Sequence, residues 1–128
     1  MLCIESLMIA GAILFAHGSR IESANQGVRT VAAELARAGG IAYVEPAFLE
    51  LGEPDLAGAA ARLAAQGVGR IVVIPYFLTL GLHLERDLPR IVADAGLGLP
   101  GVEFVVTAPL EGHPALVDAL LDRWKKAT

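Results

Sequence analysis

The chain reads as an α/β protein: a single domain holding a four-stranded parallel sheet with helices on both faces. Three observations predict this. Short apolar runs of strand length alternate with longer segments whose apolar residues recur at helical spacing, in the order βαβαβαβα. One run, Ile71-Val72-Val73-Ile74, is β-branched throughout and apolar on both faces, as parallel strands covered from each side are. The 128 residues show no internal repeat and no linker, and that length supports one core rather than two.

Residues 1–8 carry no usable pattern and are expected to form a frayed N-terminal extension. The first strand covers Ala12–Ala16 and stops at His17-Gly18. Ser23-x-x-Gln26 has the spacing of a capping box. Val28, Val31, Ala32, Leu35 and Ala36 then form an amphipathic stripe that Gly39-Gly40 ends. The second strand is expected at Ile41–Phe48, with Glu50 just past it. Pro54 suits the first turn of a second helix whose inner face is Leu56, Ala59, Ala60, Leu63 and Ala64, closed by Gly67. The β-branched run at 71–74 is the central strand. Pro75–Pro89 reads as a long irregular loop, with Pro89 opening a third helix whose inner face includes Ile91, Val92 and Ala95. The fourth strand is expected at Val102–Thr107. Pro114 opens the last helix, with Val117, Leu120, Leu121 and Trp124 inward and Lys125-Lys126 near its C-terminus.

Composition removes several function classes. Hydrophobic residues make up 55% of the chain, much of it alanine. Leu7–Ala16, the longest apolar stretch, falls short of the ~20 residues a spanning helix needs. It is preceded by Glu5 rather than a basic leader, which argues against a signal peptide and for a cytoplasmic protein. Cys3 is the single cysteine, so neither an intramolecular disulfide nor a thiolate metal cluster is available. A net charge of −4 argues against general nucleic-acid binding.

Ligands of parallel α/β sheets bind past the carboxyl ends of the strands. His17, Glu50, His83 and His113 all fall at or after expected strand ends, and they include every histidine of the chain. Imidazole with carboxylate suits Fe, Co, Ni or Zn, and imidazole also exchanges protons near neutral pH. Tyr76 and Phe77 offer an apolar wall to a flat ligand, and Arg20 and Arg86 offer planar forks to carboxylates. Each has an ordinary alternative when taken singly: an exposed loop histidine, packing over the sheet edge, a solvated surface charge. Gly96-x-Gly98-x-x-Gly101 matches the dinucleotide fingerprint but follows a helix and precedes a strand, the reverse of the required order. No phosphate-binding P-loop sequence is present, and Ser19 lacks the G-x-S-x-G elbow of a serine hydrolase.

His17-Gly18-Ser19-Arg20, Ala47-Phe48-Leu49-Glu50-Leu51, Pro75 to Leu78 with Gly81-x-His83 and Asp87-x-Pro89, and Pro109-Leu110 with Gly112-His113-Pro114 follow in order. The ordered set resembles the small CbiX-type chelatases, the class II sirohydrochlorin chelatases that insert cobalt, iron or nickel into a reduced tetrapyrrole. The resemblance covers nearly everything after residue 10. It implies a short, single-half form acting as a homodimer, with no permanent cofactor and the divalent metal as a substrate. It implies that His17 and His83 handle the metal and accept protons, that Glu50 shuttles protons or completes the coordination, and that Arg20, Ser19, Tyr76, Phe77 and Arg86 meet the substrate. His113 matches a family position but is expected to be structural or peripheral. Gly81–Pro89 holds only His83 where nickel-inserting relatives often carry a histidine-rich loop, which disfavours nickel. Two other classes remain: a carrier that binds metal or tetrapyrrole without joining them, and a small hydrolase using His17 and Ser19.

Overall fold

The computed structural model describes residues 8–128; residues 1–7 of the expected extension, Cys3 among them, lie outside the described part. Strands β1 (Ile9–Ala16), β2 (Val44–Phe48), β3 (Val68–Pro75) and β4 (Glu103–Val106) alternate with helices α1 (Glu22–Gly39), α2 (Leu56–Ala65), α3 (Leu82–Gly96) and α4 (Pro114–Ala127). All strand pairs are parallel, in the order β2-β1-β3-β4. The chain runs from β1 to β2 in one direction across the sheet and from β2 back past β1 to β3 in the other. Right-handed crossovers then put α1 on one face and α2 with α3 on the opposite face. The sheet of the sequence reading is the sheet observed.

β1 lies at the centre, paired on both sides, with Phe15 opposite Ala47 of β2 and Pro75 of β3. Its side chains alternate across the sheet. Ile13 and Phe15 join Ile71 and Val73 beneath Leu56, Ala60 and Leu63 of α2 and Leu88 and Val92 of α3, forming the main core. The inner face of α2 is the one expected, and Asp55 caps that helix by accepting the Gly58 N–H at 2.8 Å.

Several boundaries differ from the sequence reading, each for a physical reason. β1 and β3 start earlier than expected, at Ile9 and Val68, because the two strands pair with each other from those residues on. β2 starts at Val44, not Ile41. α1 begins at Glu22 with Ile21 as its N-cap, so Ser23 lies inside the helix and the expected capping box does not form. α3 begins at Leu82, two turns before Pro89, which sits within it. Leu84, Leu88, Ile91, Val92 and Ala95 form one continuous apolar stripe against the core. Their burial outweighs the roughly 3 kcal/mol that an interior proline costs. The loop after β3 is therefore short, and His83 is on a helix.

The largest correction concerns α4. Val117, Leu120, Leu121 and Trp124, expected to face inward, are exposed, at 66%, 70%, 45% and 64% of their full areas. The stripe is real, but no described part of the chain covers it. α4 is tethered instead through the loop before it, where Leu110 and Glu111 donate their N–H groups to Phe77 and Leu78 carbonyls.

Phe15→Ala is expected to destabilise the domain by about 3–5 kcal/mol, since this ring is fully enclosed at the centre of the core. Urea unfolding followed by circular dichroism would measure it.

Candidate active site

The carboxyl ends of β1, β2 and β3 form one rim, and the sequence places a chemistry-bearing group just beyond each. The pairing of β1 with β2 continues past the strands: Leu49 donates its N–H to Ala16 O at 2.8 Å, and Glu50 to His17 O at 3.0 Å. This makes His17 and Glu50 neighbours on adjacent loops. Gly18 has φ of +93°, and a Cβ there would overlap the Glu50 carbonyl oxygen. Only glycine lets the two loops approach this closely.

The His17 ring reaches Glu50, with Nε2 at 3.6 Å from Oε1. Its Nδ1 lies 3.1 Å from the Gly18 carbonyl oxygen. The carbonyl and the carboxylate can both only accept, so each contact calls for a ring N–H, and a neutral ring can supply only one of the two at a time. His17 also lines a pocket of about 390 Å³ together with Leu49, Phe77, His83, Asp87 and Ile91. The two histidines named from sequence thus share one apolar cleft.

His83 stands in the first turn of α3. Its Nδ1 lies 3.2 Å from Nη2 of Arg86, which also points Nε at Asp87 Oδ1, 3.4 Å away. A guanidinium can only donate, so Nδ1 accepts here. Arg86 thus contacts His83 and Asp87 beside the cleft while its side chain stays 71% exposed. Asp87, part of the quoted Asp87-x-Pro89 motif yet assigned no role from it, is a carboxylate on the cleft wall.

The other expected residues separate. Phe77 lines the cleft and tilts against Phe15, ring centroids 6.3 Å apart. Tyr76 lies beside it on the exposed edge, outside the cleft lining. Arg20 is exposed on the His17 loop. Ser19 Oγ accepts the Ile21 N–H at 3.0 Å, and the His17 ring turns to Gly18 and Glu50, so these two do not form the nucleophile–base pair of a hydrolase. His113 caps α4, its Nδ1 accepting the Ala115 N–H at 3.0 Å. Among the described residues no group of three His, Cys, Asp or Glu side chains is close enough to enclose a metal ion. No described helix is long and apolar enough to cross a membrane.

The CbiX family model matches residues 11–127. The chain belongs to the CbiX family. It is 37% identical over 113 residues to a protein of Arabidopsis thaliana named chloroplastic sirohydrochlorin ferrochelatase, spanning 88% of this chain and 50% of that one. It is 30% identical to a sirohydrochlorin cobaltochelatase of Methanopyrus kandleri, across 93% of this chain and 97% of that protein. The sirohydrochlorin chelatase SirB of Bacillus subtilis subspecies spizizenii, solved in complex with cobalt, superposes with a TM-score of 0.85 at 26% identity. That alignment covers 93% of this chain and 51% of SirB. This chain spans nearly the full length of the Methanopyrus protein and about half the length of the plant protein and of SirB.

Of the residues named from sequence, the structure brings His17, Glu50, His83 and Phe77 together, and two further residues shape that arrangement. Gly18 marks the end of the first strand in the sequence, and its role as a point of loop-to-loop contact shows only in the structure. Asn25 fell among the polar positions of α1.

Gly18→Ala is expected to cost about 1–3 kcal/mol from the backbone conformation alone, and more from the Glu50 overlap. Thermal unfolding checks the first effect, and loss of the His17–Glu50 contact, read from the His17 ring resonances, checks the second.

Proposed function

We propose that the protein inserts a divalent metal, cobalt or iron, into sirohydrochlorin, acting in the cytoplasm as a homodimer. The observation that carries this reading is the His17–Glu50 pair, 3.6 Å apart on the rim of the cleft that His83 also lines. The names of the relatives supply the substrate.

Insertion requires the ring to lose two pyrrole N–H protons while four nitrogens replace the water around the ion. A neutral His17 ring keeps one nitrogen unprotonated, and that nitrogen can hold the incoming ion or take one of those protons. Once protonated, His17 is an imidazolium beside the Glu50 carboxylate, which stabilises the new charge and offers the proton a route to solvent. The metal is a substrate here, so a pair of donors that releases it serves better than a closed shell. Phe77, with Leu49 and Ile91, offers the flat ring an apolar wall, while Tyr76, Ser19 and Arg20 lie at the rim, where a substrate carboxylate would reach. When Arg86 turns to such a carboxylate, it leaves His83 Nδ1, and that nitrogen becomes available to the ion.

The homodimer reading is supported by α4, whose outward stripe of Val117, Leu120, Leu121 and Trp124 adjoins a groove lined by Leu78, Leu116 and Leu120. A relative of twice the length carries a second half in one chain, and a second copy of this chain would stand in its place and supply the facing wall.

Anaerobic absorbance of the protein with sirohydrochlorin and Co²⁺ or Fe²⁺ is expected to show conversion faster than the protein-free reaction. His17→Ala and His83→Ala should each slow it at least ~100-fold. An unchanged rate in folded His83→Ala overturns the assigned metal site, and tight binding without conversion makes the protein a carrier.

Light scattering should give twice the 13.4 kDa chain mass, and Leu120→Asp should give a folded monomer. A stable wild-type monomer under assay conditions removes the two-walled cleft.

A further inference from the structure

Asn25 is the one buried polar residue among those described, 2% exposed in the first turn of α1. Its oxygen and both of its N–H groups are engaged. Oδ1 accepts the Ser19 N–H at 2.9 Å, and Nδ2 donates to Ser19 O and to Leu51 O, each at 2.9 Å. Ser19 lies two residues beyond His17, and Leu51 directly follows Glu50. One side chain therefore ties the loop that carries the imidazole to the loop that carries the carboxylate.

The second loop needs such a tie. Leu51 is the single described non-glycine residue with positive φ, +58°, a conformation that costs of order 1–3 kcal/mol and persists only where surrounding contacts impose it. The bond from Asn25 to the Leu51 carbonyl is such a contact. One turn further along α1, Arg29 reinforces it. Its Nη2 donates to Glu53 O at 3.3 Å, its guanidinium stacks over Phe48 at 5.3 Å, and its Nη1 meets Glu22 Oε1 at 2.6 Å. That contact holds the Glu22 carboxyl below the usual carboxylate range.

We infer that Asn25 is the positioning residue of the His17–Glu50 pair: by bonding Ser19 and Leu51 at once, it fixes the separation at which the carboxylate can serve the imidazole. Asn25 touches neither metal nor tetrapyrrole and acts through the two loops. The inference rests on the chelatase reading for its chemistry, but the mechanical coupling can be read from metal binding alone.

The test is a double-substitution cycle joining Asn25→Asp with Glu50→Gln. Asp keeps the acceptor for Ser19 N–H and loses both donated bonds. Asn25→Ser, which leaves room for a bridging water, is a second variant should Asp fail to fold, with circular dichroism and thermal unfolding establishing the folded state of each. Two quantities are measured: the dissociation constant for Co²⁺ alone, and kcat and KM for insertion. In the wild-type background Glu50→Gln is expected to weaken Co²⁺ binding and lower kcat about tenfold. In the Asn25 background it should change either by less than about threefold, because the carboxylate is already displaced. Asn25→Asp should lower kcat with KM for sirohydrochlorin within about twofold, and Asn25→Ser should recover part of the loss. Effects that multiply independently in folded variants, or a fall in stability with kcat unchanged, overturn the inference and leave Asn25 a purely structural residue. Co²⁺ binding that shows the coupling in a protein that inserts no metal supports the inference while overturning the chelatase reading. A wild-type protein that neither binds Co²⁺ nor inserts it overturns both.

Discussion

The parallel pairing of β1 with β2 does not end where the two strands end. Two further backbone bonds, from Leu49 to Ala16 and from Glu50 to His17, carry the ladder into the loops. Everything chemical about the site depends on that extension. It brings an imidazole and a carboxylate to adjacent positions without either being buried, and it requires a residue with no Cβ at position 18. The core beneath supplies the rigidity: β1 is enclosed from Gly11 to Ala16, so the rim from which His17 projects has little freedom to move.

The fold was legible because its determinants are periodic and local. Helical stripes on α1, α2 and α3, the β-branched run in β3 and the glycines after helices all read directly from the chain, and they yielded the sheet observed. The site was legible in part for a similar reason: in a parallel sheet, chemistry collects past strand ends, and so few candidates existed that His17, Glu50 and His83 stood out. What escaped depends on contacts between segments far apart in the chain. Asn25 looks like any polar residue on an amphipathic helix until Leu51, distant in sequence, turns its carbonyl toward it. Pro89 misled because a proline signals a first turn only when nothing upstream has apolar burial to offer, and Leu84 and Leu88 do. α4 misled differently. Its periodicity correctly marked a helix with one apolar face, and the error lay in placing that face against the described core.

Charge is arranged unevenly over the rim. The net balance of the chain is acidic, Asp87 lines the cleft and Glu50 adjoins it through His17, an arrangement that attracts a divalent cation more than a polycarboxylate. Arg20 and Arg86 counter this locally, and Arg86 is neutralised at rest by Asp87. A carboxylate ligand must therefore compete with Asp87 for Arg86, which favours ligands presenting more than one carboxylate at once.

The loose attachment of α4 has a consequence for how the molecule breathes. With its apolar stripe in water, this helix gains little from tertiary packing, and an isolated helix of such length is marginal. Its amides in the lone chain should open to solvent exchange far more often than those of β1, which open only with the whole domain. Anything that settles on the stripe closes that gap. Deuterium uptake along a single helix thus distinguishes a solitary chain from an engaged one, with no assay of the site itself.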